Sequence, residues 1–298
     1  MRKILKFLLV LGLAGLAVFW WITTPGRVDS AALAGLSGDA ARGEQVFWEG
    51  GCASCHAAPG AEGEARLVLA GGMAFPSEFG TFHAPNISPH PSHGIGNWTL
   101  EDLANAMKSG TSPNGAHYYP AFPYTSYARA DLTDIADLHA FLQTLPASDA
   151  ANRPHDVGFP FNIRRLLGGW KFLFSRQDNV IEVSGAEAGR GQYLVESLGH
   201  CGECHTPRNA LGGLDYSRWL QGAPTADGKG RTPAITPDKL DWSERDIAAY
   251  LSTGFTPEYD SAGGHMAEVV QNYAHLPESD LLAIAAYLKQ VPPSAPAQ

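Results

Sequence analysis

Long hydrophobic runs are nearly missing from this sequence. A single stretch, at the N-terminus, approaches the length of a membrane span, which excludes a polytopic transporter. Charge is also sparse, at 17% of the 298 residues, and it leans acidic, with a formal net charge of −9. Segments 37–150 and 185–298 are both acidic, so they would repel a phosphate backbone; nucleic acid is excluded as a partner, whereas a basic patch on a docking protein would be attracted. No Ser/His/Asp constellation, carboxylate pair or phosphate-cradling glycine loop stands out, so side-chain catalysis is not indicated. Cysteine and methionine are scarce, four of each. Glycine (33) and proline (21) are plentiful instead, and apolar residues, at 44%, are too many for intrinsic disorder. A folded, loop-rich protein with room for two domains follows.

At the N-terminus, Arg2, Lys3 and Lys6 precede an uncharged run from Phe7 to Gly26 that is apolar through Ile22 and carries Trp20-Trp21 near its far end. Positive residues on the inner side and an aromatic pair at the outer interface describe a transmembrane anchor within segment 1–36. The competing reading is a cleaved signal, because Ala32-Leu33-Ala34 offers small residues in an A-x-A pattern. That site lies well beyond the apolar run, which favours the anchor. Either way the bulk of the chain is exported: anchored in a bacterial inner membrane and facing the periplasm, or soluble there after cleavage.

The remainder repeats itself. Arg42-Gly43 recurs as Arg190-Gly191, Cys52-Ala-Ser-Cys55-His56 as Cys201-Gly-Glu-Cys204-His205, Pro85-Asn-Ile-Ser-Pro89 as Pro233-Ala-Ile-Thr-Pro237, and Asn97-Trp98-Thr99 as Asp241-Trp242-Ser243. The order is kept throughout, so one ancestral unit has been duplicated into domains at 37–150 and 185–298, joined by a connector at 151–184. Within each copy the strong local signals are helical. Ser184–Glu187, Thr99–Asp102 and Ser243–Asp246 resemble capping boxes. Leu100, Leu103 and Met107 form a buried-face stripe, and Asp131–Leu145 and Glu278–Val291 have amphipathic spacing. Between helices run long loops at 57–97 and 206–241, which would be out of place in small domains unless they wrap something.

The four cysteines supply a candidate for what is wrapped. C-x-x-C-H is the attachment signature of c-type haem: each thiol adds across a vinyl group and the adjacent histidine ligates iron. Cys52, Cys55 and His56 would hold one haem, and Cys201, Cys204 and His205 a second, giving two covalently bound haem c groups. A zinc site or a redox dithiol is the alternative reading of paired CxxC motifs, but neither accounts for a histidine after both pairs or for whole domains repeated around them.

For a sixth ligand, Met266, 61 residues after His205, is the candidate on the second iron. Met107 matches Leu251 and reads as helix core, and Met73 sits in a glycine-rich loop with no counterpart. Aligning Gly115-Ala-His117-Tyr118 with Gly263-Gly-His265-Met266 puts Tyr118 at the methionine position, while a slipped alignment brings Phe122 there. The first iron is therefore expected to be ligated by His117 or left open, with His117 as a structural hydrogen-bonding residue the competing reading. Histidines 83, 90, 93, 139, 155, 200 and 275 read as loop or surface residues, and the 83/90/93 cluster is a weak metal signal. Trp98 and Trp242 read as packing beside each haem. The connector, basic and apolar at once, reads either as a strap between domains or as a surface against lipid or a partner, with Arg164, Arg165 and Lys171 kept in water.

These motifs, with CHTPRNALGG at 204–213, HYYPAFPY at 117–124 and FPFNIRRLLGGWKFLF at 159–174, resemble the membrane-anchored, multihaem cytochrome c subunits that accompany periplasmic alcohol, gluconate and aldehyde dehydrogenases. The resemblance covers nearly all of residues 38–291. It implies an all-α protein of two tandem class I cytochrome c domains with long haem-wrapping loops, preceded by a transmembrane helix. It also implies electron transfer from a dehydrogenase or quinol-linked donor to a downstream acceptor, a redox partner protein, and no substrate chemistry of its own. Two departures stand out: many such subunits carry three haems, and many have methionine where Phe122 stands. The alternative function is a dihaem enzyme, a peroxidase or a thiosulfate-oxidising protein, working at an open first iron.

Overall fold

The computed structural model describes residues 1–294. Helix α1 (Arg2–Ile22) has no buried residue and, among the described residues, is the one helix long and apolar enough to cross a membrane. The chain after it is not a loose spacer. Thr23 is wholly buried, and the Val28 amide donates to Asn105 Oδ1 at 2.7 Å.

The first half contributes α2 (Ala40–Glu49), α3 (Cys52–His56), α4 (Leu100–Ser109), α5 (Tyr124–Tyr127) and α6 (Leu132–Leu142). After the connector helix α7 (Leu166–Phe174), the same order returns as α8 (Ala186–Tyr193), α9 (Gly202–His205), α10 (Glu244–Thr253), α11 (His265–Tyr273) and α12 (Glu278–Leu288). In each half the first helix crosses the last, and the repeated Arg-Gly pair explains how. A Cβ on Gly43 would lie 2.0 Å from the Asp137 carbonyl oxygen, and one on Gly191 1.8 Å from that of Ala283, so only glycine permits the approach. The neighbouring arginines pin the crossings: Arg42 to Asp137 at 2.7 Å and Arg190 to Asp280 at 2.9 Å.

The capping boxes at Thr99/Asp102 and Ser243/Asp246 form as expected, and both helices end on left-handed glycines, Gly110 and Gly254. The third box does not form. Helix α8 starts from Gly185 with no side-chain cap, and Ser184 instead exchanges hydrogen bonds with the Gln290 amide.

The all-α expectation needs amending: the fold is mostly helical, with two small antiparallel sheets in the long loops. One joins β1 (Ala74–Ser77), β2 (Gly80–His83) and β3 (Asp156–Val157); the other pairs β4 (Ala223–Pro224) with β5 (Arg231–Thr232). Strand pairing satisfies backbone groups that loops of this length would otherwise leave open, and β3 staples the connector to the first half.

The halves share one contiguous apolar core, and the contacts between them come in reciprocal pairs. Gln45 on α2 donates to Asp280 on α12 at 3.0 Å, while Tyr193 on α8 donates to Asp134 on α6 at 2.6 Å. Ser54, inside the first CxxCH, meets α11 through Asn272 Nδ2 at 2.5 Å. Glu203, inside the second, accepts from Thr125 and Ser126 of α5 at 2.7 and 3.1 Å. Such exchange is the mark of a two-fold relation, and it sets each CxxCH helix against a helix of the other half, α3 on α11 and α9 on α5.

Candidate haem-binding sites

Each CxxCH is a single helical turn, which puts cysteines three apart on one side and the histidine at its end. The histidines are oriented identically. His56 Nδ1 donates to the Pro85 carbonyl at 2.8 Å, and His205 Nδ1 to the Pro233 carbonyl at 2.8 Å. Burial pushes both imidazoles below their ordinary pKa, so they are neutral with the proton on Nδ1 and a free lone pair on Nε2. A metal-ligating histidine needs this arrangement, and the carbonyl bond raises its basicity.

What holds the carbonyl in place is backbone geometry. The Gly71 amide donates to the His56 carbonyl and the Gly222 amide to that of His205, both at 2.7 Å. Gly71 has φ of 72°, and a Cβ there would lie 2.5 Å from the Pro85 carbonyl carbon; Gly222, with φ of 78°, crowds Pro233-Ala234 in the same way. Gly71→Ala is therefore expected to cost at least ~1–2 kcal/mol from the left-handed backbone alone. It should also displace Pro85, weaken the His56 hydrogen bond and raise the first haem's potential. A redox titration showing the first potential unmoved would contradict this assignment.

The thiols are poor candidates for the alternative chemistries. Burial pushes Cys52 up to about 12, Cys55 to about 11 and Cys201 to about 12, the reverse of an activated redox thiolate. Among the described residues no three His, Cys, Asp or Glu side chains converge as a metal cluster. Paired neutral thiols beside an oriented imidazole do fit a thioether-bound haem, held by Cys52, Cys55 and His56 in one half and by Cys201, Cys204 and His205 in the other.

Met266 lies in the first turn of α11 (His265–Tyr273), partly buried against the core. The register between halves is fixed by matching bridges, Thr111 with His117 and Phe255 with Ser261. Matching backbone bonds follow: the Tyr118 amide to the Gly110 carbonyl at 2.8 Å and the Ala262 amide to the Gly254 carbonyl at 2.7 Å. At this register Phe122, not Tyr118, is the counterpart of Met266, and His117 matches Ser261. The imidazole of His117 is buried elsewhere: its Nε2 donates to the Thr23 carbonyl at 3.0 Å, beneath Gly168 of α7. Met107 lies in the core face of α4, as expected.

Other histidines are more engaged than the sequence suggested. His83 is buried and paired with Asp156 at 3.0 Å, and His275 stacks on Trp48 with centroids 3.8 Å apart. His90 and His93 stack on one another away from His83's partner, so the 83/90/93 cluster does not converge. Trp98 and Trp242 pack against the core, Trp242 edge-on to Tyr250. Sequence reasoning missed three groups: the Pro85 and Pro233 carbonyls; the buried Glu203; and Arg66, which reaches from the first half to Glu268 at 2.6 Å and to Gln271 on the helix carrying Met266. For the prolines a signal existed, since each follows its histidine at nearly the same spacing, 29 and 28 residues.

The cytochrome c family model matches residues 40–146. A dihaem cytochrome c-type protein of Cereibacter sphaeroides is 61% identical over 97% of this chain and 96% of its own length. The fructose dehydrogenase cytochrome subunit of Gluconobacter japonicus is 38% identical over 85% of this chain, and the cytochrome c subunit of the quinone-dependent alcohol dehydrogenase of Gluconobacter oxydans 36% over 84%. This chain spans only about half the length of those two subunits, 53% and 54%. Coverage nearly end to end by a dihaem relative, over two CxxCH turns with matching histidine geometry, settles both the cofactor content, two covalently bound haem c groups, and the kinship: the chain belongs to the dihaem cytochromes c.

Proposed function

We propose that this protein is a membrane-anchored electron carrier of the periplasm, built of two tandem class I cytochrome c domains at 37–150 and 185–298. In this reading it passes electrons from a dehydrogenase or quinol-linked donor to a downstream acceptor. The observation that carries the reading is that each attachment helix is hydrogen-bonded to a helix of the other half, Glu203 to Thr125 of α5 and Ser54 to Asn272 of α11, within one shared core. Two redox centres held in one body form a relay. Each bound haem supplies one-electron chemistry at its iron. The chain supplies the rest: His56 and His205 as proximal ligands, Met266 as the distal ligand of the second iron, and loops that exclude water.

Retention of the anchor is supported by Thr23, whose carbonyl and hydroxyl are both bonded to the body, to His117 and Arg165. Cleavage after Ala34 would strip these contacts from the first half. The dehydrogenase partners named for the relatives are the class we assign to this chain's donor, and the acidic surface suits a basic docking patch.

With Phe122 at the position that corresponds to Met266, and His117 committed to Thr23, we infer that no described residue ligates the first iron on its distal side. Purified from its membrane, the protein should carry two haems, bind carbon monoxide or cyanide at the first only, turn over neither peroxide nor thiosulfate, and co-purify with a dehydrogenase. Two inert haems would refute the open first site. Turnover of peroxide or thiosulfate would replace the carrier reading by an enzymatic one.

A further inference from the structure

The connector helix α7 is turned inside out. Its cations point into the protein. Arg165 Nε donates to Thr23 Oγ1 and Nη2 to the Trp20 carbonyl, both at 2.7 Å, with the guanidinium 4.1 Å above the Trp20 ring. Lys171 Nζ donates to the Ser109 and Gly110 carbonyls at 2.6 and 2.7 Å, closing the end of α4. Arg164 donates to the His117 carbonyl at 2.9 Å and lies over Tyr119. These are the three charges expected to stay in water, and none does so freely. The side chains that face outward are apolar: Phe172 is 67% and Leu173 64% exposed, and Phe159, Phe161 and Leu166 are exposed in the same segment. A helix facing water shows the opposite arrangement.

The outward face also has a neighbour of known chemistry. A Cβ on Gly168 would lie 2.6 Å from Thr23 Cα, so α7 abuts the end of α1 beside Trp20 and Trp21. Helix α1, apolar and exposed along nearly its whole length, thus meets α7 at Thr23, where Arg165 lies over the Trp20 ring. On its other side α7 grips the second half, with Trp170 Nε1 donating to the Leu211 carbonyl at 2.7 Å.

We propose that segment 159–174 lies in the outer boundary of the bilayer that α1 enters, an interfacial platform that fixes the height and tilt of both haem-bearing halves above the membrane. This rests on the reading of α1 as a retained membrane span. Because Arg164, Arg165 and Lys171 are engaged internally, insertion is driven by apolar burial rather than by attraction to anionic headgroups. The platform should therefore seat equally on zwitterionic and anionic lipid.

The test uses the full-length haem-loaded protein in vesicles of phosphatidylcholine alone or with phosphatidylglycerol. Spin labels are placed singly at Val10→Cys, Phe172→Cys and Tyr259→Cys; the native thiols are held in thioether bonds, and Tyr259 is 92% exposed on the second half. The expected result is a deep label at 10, a shallow lipid label at 172 with oxygen accessibility several-fold above that of a nickel chelate, and a water label at 259, unchanged between the two lipids. A label at 172 as open to the chelate as that at 259, with 10 still deep, overturns the platform while the anchor stands. Shielding of 172 from both probes overturns it in favour of a protein partner. Water exposure at 10 removes the anchor, and the platform with it.

Discussion

Met266→Ala abolishes the far-red sulfur-to-iron charge-transfer band of the ferric protein and lowers the potential of one haem only. Of the four methionines, Met1 precedes the anchor helix, Met73 pairs with Ala84 beside the Pro85 loop that backs His56, and Met107 is sealed in the core of α4, which leaves Met266 in the first turn of α11 to produce that band. Losing the thioether withdraws a ligand that favours the ferrous state, and axial ligation commands a range of ~0.8 V, so a fall of about 0.1–0.3 V is expected at the second haem. The first haem, with Phe122 on the equivalent side, should titrate as before. An equal shift of both potentials, or a band surviving the substitution, would contradict the assignment. The helix that carries Met266 is held from the other half, by Arg66 on Glu268 and by Ser54 with Asn272. The helix proposed to supply the second haem's distal ligand is thus positioned by residues of the first half.

Much of this was legible in the sequence, and the reason is covalent. Attachment of haem demands two thiols and a histidine at fixed local spacing, so both sites could be read directly from residues 52–56 and 201–205. Helix starts were readable where hydroxyl and acid sit three apart before an apolar stripe, at Thr99 and Ser243. They failed at Ser184, where Gln290, distant in sequence, competes for the same groups. The distal side of the first haem was misaligned because the halves differ in length between Gly110 and the last helix, and only the paired backbone bridges fix the register. His117 could not be placed at all without α1 and α7, since its partner Thr23 is 94 residues away. The reciprocal interface was likewise invisible: Glu203 looked like a filler residue within CxxCH. It is in fact a buried carboxylate kept below its usual pKa by Arg208 and Thr125 against the pull of burial.

Arg190→Ala should weaken the union of the two halves by about 3–5 kcal/mol, the range for removing the cation from a buried ion pair, and the loss should grow with pH. Arg190 Nη2 sits 2.5 Å from Glu49 of the first half and 2.9 Å from Asp280 of the second. Both carboxylates are buried, at 2% and 7% exposed. Arg190 itself is one-third exposed, which places the loss toward the lower end. Burial pushes Glu49 up to about 7 even with Arg190 beside it. A carboxyl raised in this way binds its proton more tightly in the folded state, so its contribution is fully present below about pH 4.5 and falls as the pH rises to about 7. Without Arg190 the rise is larger. At pH 5 Glu49 is neutral in wild type and variant alike; at pH 8 the wild type can ionise Glu49 against Arg190, whereas the variant must either hold the proton on Glu49 or bury its charge unpaired. The equivalent pair of the first half provides the contrast. Arg42 and the Asp39 amide hold Asp137 below its usual pKa although burial opposes them. That contribution is already complete above the usual carboxylate range and lost only as the pH falls below it, so the deficit of Arg42→Ala should stay flat between pH 5 and 8. Denaturant unfolding of both variants at the two pH values checks the sign. A deficit for Arg190→Ala that shrinks toward pH 8 would mean that Glu49 is not the buried acid on which the two halves close.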